Sequence, residues 1–165
     1  MRGIAITLLL ATVFIQPATA DYAAGVAAYQ RADYAAALEE WRAPAEAGEA
    51  DAQLGLGNLY VNGEGVEQDF DEAEKWFMKA AEQGLAGGQY NIGLLYAQGW
   101  TGEQDSDKAV AWWLKAAAQE HAGSEYQLGL AHEHGWGAEA DMATAIDWYT
   151  RSAERGYASA QYMLG

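Results

Sequence analysis

The sequence predicts an all-α solenoid of stacked antiparallel helix pairs, and three observations support this. A period of 36 residues holds in phase through three units, as in Gly57, Gly93 and Gly129. Such a period is typical of repeat proteins in which each unit is one supersecondary motif. Within each unit, apolar residues recur with helical spacing. Cysteine is absent, so packing of neighbouring units must stabilise the chain without disulfides.

The first twenty residues have the pattern of a secretory leader. Arg2 supplies a positive charge, residues 4–15 are uncharged, and Ala18-Thr19-Ala20 forms a small-x-small cleavage site before Asp21. The apolar run is shorter than the about 20 residues that span a bilayer. We therefore expect residues 1–20 to be a signal peptide and the mature protein to be exported, periplasmic or secreted, without stable membrane insertion after cleavage.

Residues 21–50 predict a helix pair that caps the N-terminal end of the array. Asp33 precedes the second helix of this pair, where an aspartate can accept hydrogen bonds from free backbone N–H groups. Gly25 and Ala37 are 12 residues apart, whereas Gly57 and Ala73, like their later equivalents, are 16 apart. The capping unit therefore has a shorter loop between its helices.

Three full repeats are expected at residues 51–86, 87–122 and 123–158. The first helix of the first repeat is predicted by apolar residues at i, i+4, i+7 and i+8, which are Ala52, Leu56, Leu59 and Tyr60. Gly57 interrupts this helix, although glycine costs about 1 kcal/mol relative to alanine there. Its recurrence indicates close approach of the partner helix.

The second helix of each repeat is expected to begin after an aspartate. Asp69, with Glu72 three residues later, has the form of a capping box. Asp105 and Asp141 recur in phase, so we interpret all three as helix caps and not as catalytic carboxylates. Gly84 and Gly156 end two of these helices, but Glu120 stands at the middle position and predicts a looser or differently capped end.

Residues 159–165 begin a fourth unit and stop inside its first helix. Solenoids finish with a polar capping element, since the last apolar face would otherwise meet water. We expect either that the chain given is truncated or that a partner covers this end.

The charge of the chain excludes some classes of partner. It carries 24 Asp and Glu against 9 Lys and Arg, a formal net charge of −15. Such a surface repels nucleic acid and anionic membrane, and it attracts basic groups over roughly a Debye length of 8 Å. We expect a protein or peptide partner with basic segments, and no nucleic acid.

The repeats resemble Sel-one-like repeats, which are relatives of tetratricopeptide repeats. The residues that carry the resemblance are Ala52, Leu56-Gly57, Tyr60, Gly63, Gly65-Val66, Asp69, Ala73, Trp76-Phe77, Lys79-Ala80-Ala81 and Gly84. The resemblance implies a right-handed superhelix of helix pairs and a role in assembling protein complexes.

The resemblance also implies that the first helix of each pair lines a concave binding surface. The candidate partner contacts on these helices are Asn58, Tyr90, Gln98, Tyr126, Glu133 and His134. Tyr90 and Tyr126 share a column with Leu54 and Tyr162. Tyrosine suits recognition because it combines a rigid apolar body with a polar tip, but packing between repeats is an equally good interpretation.

Trp100 and Trp136 occupy the loop position that Glu64 holds in the first repeat. Because they are one period apart, they predict a platform for a cell-envelope glycan or another small molecule. The competing interpretation is that each fills space, since Val66 is replaced by Gly102 and Ala138 in the later repeats.

Catalytic and metal sites are not predicted. The chain has no cysteine, and none of its serines lies in a G-x-S-x-G elbow. His132 and His134 are two residues apart, whereas the helical zinc motif needs a spacing of four. We expect no enzyme activity, no metal and no cofactor, with a hydrolase as a remote alternative.

Overall fold

The computed structural model describes residues 22–165, which form nine α-helices and no strand. The helices are α1 (Tyr22–Gln30), α2 (Tyr34–Glu46), α3 (Ala50–Asn62), α4 (Phe70–Glu82), α5 (Ala86–Gln98), α6 (Ser106–Ala117), α7 (Ala122–His134), α8 (Met142–Glu154) and α9 (Ala158–Leu164). Each packs mainly against the helices before and after it, which confirms the all-α solenoid. The predicted signal peptide lies outside the described residues.

We call the odd-numbered helices first helices and α2, α4, α6 and α8 second helices. The first helices α3, α5 and α7 begin at Ala50, Ala86 and Ala122, one residue before the repeats predicted from the sequence begin. No helix in residues 22–165 is long and apolar enough to cross a membrane.

Each recurring glycine of the first helices lies against an aromatic ring of the following second helix. The pairs are Gly25 with Trp41, Gly57 with Phe77, Gly93 with Trp113 and Gly129 with Tyr149. A Cβ atom added to these glycines would lie 2.2–2.4 Å from the ring, well inside van der Waals contact. The predicted close approach is therefore confirmed, and its cause is the ring of the partner helix.

Aspartates cap the second helices as predicted. Asp69 Oδ1 accepts a hydrogen bond from the Glu72 backbone N–H at 2.9 Å, and Asp105 and Asp141 make similar bonds. The reciprocal half of the capping box is missing, because the Asp69 backbone N–H donates to the Tyr60 carbonyl oxygen at 3.0 Å. The Glu72 carboxylate accepts from Lys75 Nζ at 2.8 Å, so that half of the prediction is wrong.

A polar pair links the start of each first helix to the end of the following second helix. Gln53 pairs with Gln83 at 2.8 Å, and Gln89 pairs with Gln119 at 2.9 Å. In the third repeat Glu125 and Arg155 hold these positions, 3.0 Å apart. Glu125 is fully buried, and Arg151 also approaches it at 3.3 Å.

The middle repeat ends its second helix differently, as the sequence predicted. Helix α6 stops at Ala117, one residue short of its counterparts, and Glu120 adopts a left-handed φ of 64°. The equivalent Gly84 and Gly156 have φ values of 89° and 85°. Glu120 thus makes the same turn without glycine, and its carboxylate accepts from Arg155 at 2.9 Å.

Candidate binding face on the first helices

The first helices carry little charge. They contain no Lys or Arg, and their acidic residues are Asp51, Glu125 and Glu133. Glu125 is buried beneath two arginines. The large negative charge of the chain therefore lies mostly on the second helices and the connecting segments. A partner that lies along the first helices meets amide, hydroxyl and aromatic groups.

Tyr90 and Tyr126 each pack against other aromatic rings of the fold. The Tyr90 ring centroid is 4.8 Å from that of His121, and the Tyr126 centroid is 5.6 Å from Tyr149 and 5.2 Å from Tyr157. Burial raises the pKa of the Tyr90 hydroxyl. Both rings are half-buried, so packing uses much of their surface and a part of each stays open to a partner.

Asn58 and Gln98 border cavities at the first helices. Asn58 accepts a hydrogen bond from Asn91 Nδ2 at 3.1 Å, which links α3 to α5. Asn58 also lines a cavity of about 220 Å³ formed by α1, α2 and α3. Gln98 lines a second cavity, of about 270 Å³, between α5, α6 and α7. Of the six predicted contacts, Gln98 and His134 are exposed, and Asn58 is half-buried.

Glu133 and His134 point to different partners. The Tyr149 hydroxyl donates to Glu133 Oε2 at 2.5 Å, and burial together with this carboxylate raises the pKa of Tyr149. The His134 ring lies 4.4 Å from the Trp136 ring, while His132 Nδ1 lies 3.0 Å from the Glu139 carbonyl oxygen. Residues 22–165 contain no group of three His, Asp or Glu that could hold a metal ion.

The two loop tryptophans lie in different surroundings. Trp100 is 45% exposed and stacks on Phe70, the first residue of α4, with ring centroids 5.0 Å apart. Trp136 is 57% exposed, stacks on His134 and lines the 270 Å³ cavity. Trp100 therefore covers an apolar neighbour, whereas Trp136 lines an open cavity.

A feature that sequence reasoning missed is a row of cations over the tryptophans of the second helices. The pairs are Lys79 over Trp76 at 3.9 Å, Lys115 over Trp112 at 3.5 Å and Arg151 over Trp148 at 4.3 Å. The signal is a Trp followed three residues later by Lys or Arg in every repeat, because residues at i and i+3 are neighbours on a helix.

Comparison with known proteins agrees with the resemblance to Sel-one-like repeats. The Sel1 repeat model matches residues 50–85, 86–121 and 122–157. A Sel1 repeat protein from Oxalobacter formigenes is 36% identical, with a TM-score of 0.79 over 85% of this chain and 58% of that chain. A search of curated protein sequences gives no match.

Two further solved structures are similar. The protective antigen c5321 of uropathogenic Escherichia coli, with an SLR fold, is 36% identical, with a TM-score of 0.75 over 78% of this chain and 28% of that chain. Cysteine rich protein B of Helicobacter pylori shares the fold at 19% identity, with a TM-score of 0.59 over 84% of this chain and 93% of that chain. The chain spans 58% and 28% of the length of its two 36% identical relatives.

Proposed function

The chain belongs to the Sel1 repeat family, whose members are generally non-catalytic scaffolds for protein interaction, and we propose that it is an exported scaffold that binds a peptide or protein segment along its first helices. The observation that carries the proposal is the partly open, nearly uncharged surface of α3, α5 and α7. Two cavities open against these helices.

The side chains of this surface suit an extended peptide. Carboxamides recur on successive first helices, at Asn58 on α3, Asn91 and Gln98 on α5, and Gln127 on α7. Each offers two donors and an acceptor, the groups that match a peptide backbone. The hydrogen bond between Asn58 and Asn91 shows that amides of neighbouring helices lie within reach of one another.

The acidic surface has a separate role in this proposal. Carboxylates lie chiefly on the second helices and the connecting segments, so they would attract a basic partner from solution without contacting it along most of the docked segment. Charge outside an interface raises the association rate more than the affinity. Added salt is therefore expected to slow association and to leave dissociation nearly unchanged.

The test uses three forms of the mature chain, residues 21–165, immobilised and exposed to an envelope extract. The first is unchanged. The second carries Asn58→Ala and Gln98→Ala on the first helices. The third carries Glu39→Ala and Asp71→Ala, which remove exposed carboxylates of second helices. Alanine at Tyr90 or Tyr126 is avoided, because these rings also pack within the fold.

We expect a protein retained by the unchanged chain to be lost from the first-helix variant and kept by the second-helix variant, with slower association. Circular dichroism should show equal helicity in all three. Equal retention by both variants, or loss from the second-helix variant alone, would place the binding surface elsewhere and refute the proposal.

A further inference from the structure

The 270 Å³ cavity beside Trp136 is a feature of one repeat junction. We call it the Trp136 cavity; it is lined by Ala97, Gln98, Gln104, Ser106, Ala109, Trp113, Gln127, Leu130, Ala131 and Trp136. Trp113 and Ala109 are buried and form an apolar floor, while Trp136, Gln98 and Gln104 are exposed. No charged residue is among the lining side chains.

Comparison with the preceding repeat explains why this space is open. At three lining positions a large residue one period earlier is replaced by a small one: Val61 by Ala97, Phe70 by Ser106 and Leu95 by Ala131. Phe70 is the residue on which Trp100 stacks. Trp136, the equivalent of Trp100, finds Ser106 in that place, so its ring faces open space.

The polar groups at the edge of the cavity lack partners within the described residues. Gln68 donates a hydrogen bond to the Val61 carbonyl at 2.6 Å, but its equivalent Gln104 makes no such bond. The side chains of Gln98 and Ser106 also make no hydrogen bond in this part of the chain. Two carboxamides and a hydroxyl are therefore free to bind a ligand.

We propose that the Trp136 cavity, walled by Trp136 and edged by Gln98, Gln104 and Ser106, binds one uncharged sugar ring of a glycan. A sugar ring has an apolar C–H face that packs on an indole and hydroxyls around its edge that pair with amides. An aromatic peptide side chain brings at most one polar atom and would leave most of these groups unpaired. The cavity volume of about 270 Å³ lies just below the range of about 300–1,000 Å³ for ligand sites and suits a single ring.

The absence of charge in the lining selects among sugars. A uronic or other acidic sugar would bring a carboxylate without a cation to pair with it. It would also approach a chain whose formal net charge is −15. An uncharged sugar avoids both costs, since desolvating an unpaired charge is far more costly than desolvating a hydroxyl.

The test is a titration of the mature chain, residues 21–165, with chitotriose, cellotriose and maltotriose, followed through the indole N–H signals of its seven tryptophans. Trp→Phe variants assign the signals of Trp100 and Trp136. We expect at least one sugar to shift the Trp136 signal saturably at millimolar concentration while the Trp100 signal stays in place. Trp100 is the matched control, since it occupies the same loop position and stacks on Phe70, where Trp136 has Ser106.

Two variants separate the site from the fold. Ser106→Phe restores the residue of the preceding repeat and should abolish the shift while the melting temperature stays equal or rises. Trp136→Ala should weaken binding about tenfold or more, equivalent to 1.4 kcal/mol, whereas Trp100→Ala should leave affinity unchanged. The proposal is overturned if all three sugars leave the Trp136 signal unmoved, if a peptide alone moves it, or if Ser106→Phe retains sugar affinity.

Discussion

Replacing Gly93 by alanine tests the contact that sets the distance between the two helices of a repeat. The new Cβ would lie 2.3 Å from Trp113 Nε1, whereas ordinary contact begins at 3.4 Å. The ring would have to retreat by roughly 1 Å, and it has little room because Trp113 is 5% exposed and interiors are close-packed. The same indole N–H donates to the Tyr90 carbonyl at 3.2 Å, so a retreat also strains that hydrogen bond.

The free energy of unfolding is expected to fall by about 3 kcal/mol, the middle of a range of about 1–5 kcal/mol. Overpacking a core costs about 1–3 kcal/mol, and leaving a buried donor unpaired costs about 1–3 kcal/mol more. The better helix propensity of alanine returns about 1 kcal/mol. For a chain of this length, a loss of about 3 kcal/mol lowers the melting temperature by roughly 6–12 °C.

The assay is thermal unfolding followed by circular dichroism, with Gly87→Ala as the matched control on the same helix. A Cβ on Gly87 meets Leu54 Cδ2 at 2.9 Å, the flexible end of a side chain that can rotate away. We expect that control to be near neutral. In a Trp113→Leu background the ring is gone, so Gly93→Ala should become neutral or stabilising. A similar loss in both backgrounds would show that the ring is not the reason for the glycine.

Four other substitutions, at Arg155, Glu125, Glu120 and Asp105, test the ends of the helices. Arg155→Gln should lower the melting temperature more than Glu125→Gln, because it removes a partner from a fully buried carboxylate. The double variant recreates the glutamine pair of the other repeats, and its melting temperature should return close to that of the unchanged protein. Glu120→Gly should raise stability by about 1 kcal/mol, since glycine takes the left-handed turn without strain and the lost ion pair is exposed; a lower melting temperature would contradict this. Asp105→Ala should destabilise at pH 7, with the deficit shrinking below about pH 4. The Lys108 backbone N–H lowers the pKa of Asp105 in the folded state, so the stabilisation exists above the unfolded-state pKa and disappears as the carboxyl is protonated. A deficit that persists in acid would rule out the charge of the cap as its source.

The features that could be predicted from the sequence are local or strictly periodic. The second-helix spacing from Ala73 to Ala81 matches the residues that are buried in α4, because one helix face decides burial. The cap at Asp69 depends on four consecutive residues, so it could also be predicted from the sequence. Close approach at Gly57 was also predicted, although the identity of the ring requires knowing how the two helices cross.

The candidate contacts were harder to predict, because a side chain on the right helix can still be used within the fold. Glu133 is bound by Tyr149, and Tyr90 packs on His121. Neither partner follows from spacing along one helix. The Trp136 cavity depends on small residues contributed by three separate elements, so it is defined by missing volume and leaves no local pattern.

In a repeat protein, equivalent positions of different repeats can nevertheless be compared, because they share a backbone geometry and can carry different side chains. Where two departures compensate each other, as Glu125 and Arg155 do, the two side chains bind one another within the fold. Ser106 replaces the phenylalanine of the preceding repeat, and no other change fills the space that this leaves beside Trp136 and Gln104. The repeat therefore loses buried contacts without a structural gain. Filling that space with the neighbouring repeat's phenylalanine would add buried apolar area. The open cavity therefore costs stability, which is the relation expected of a surface kept for binding.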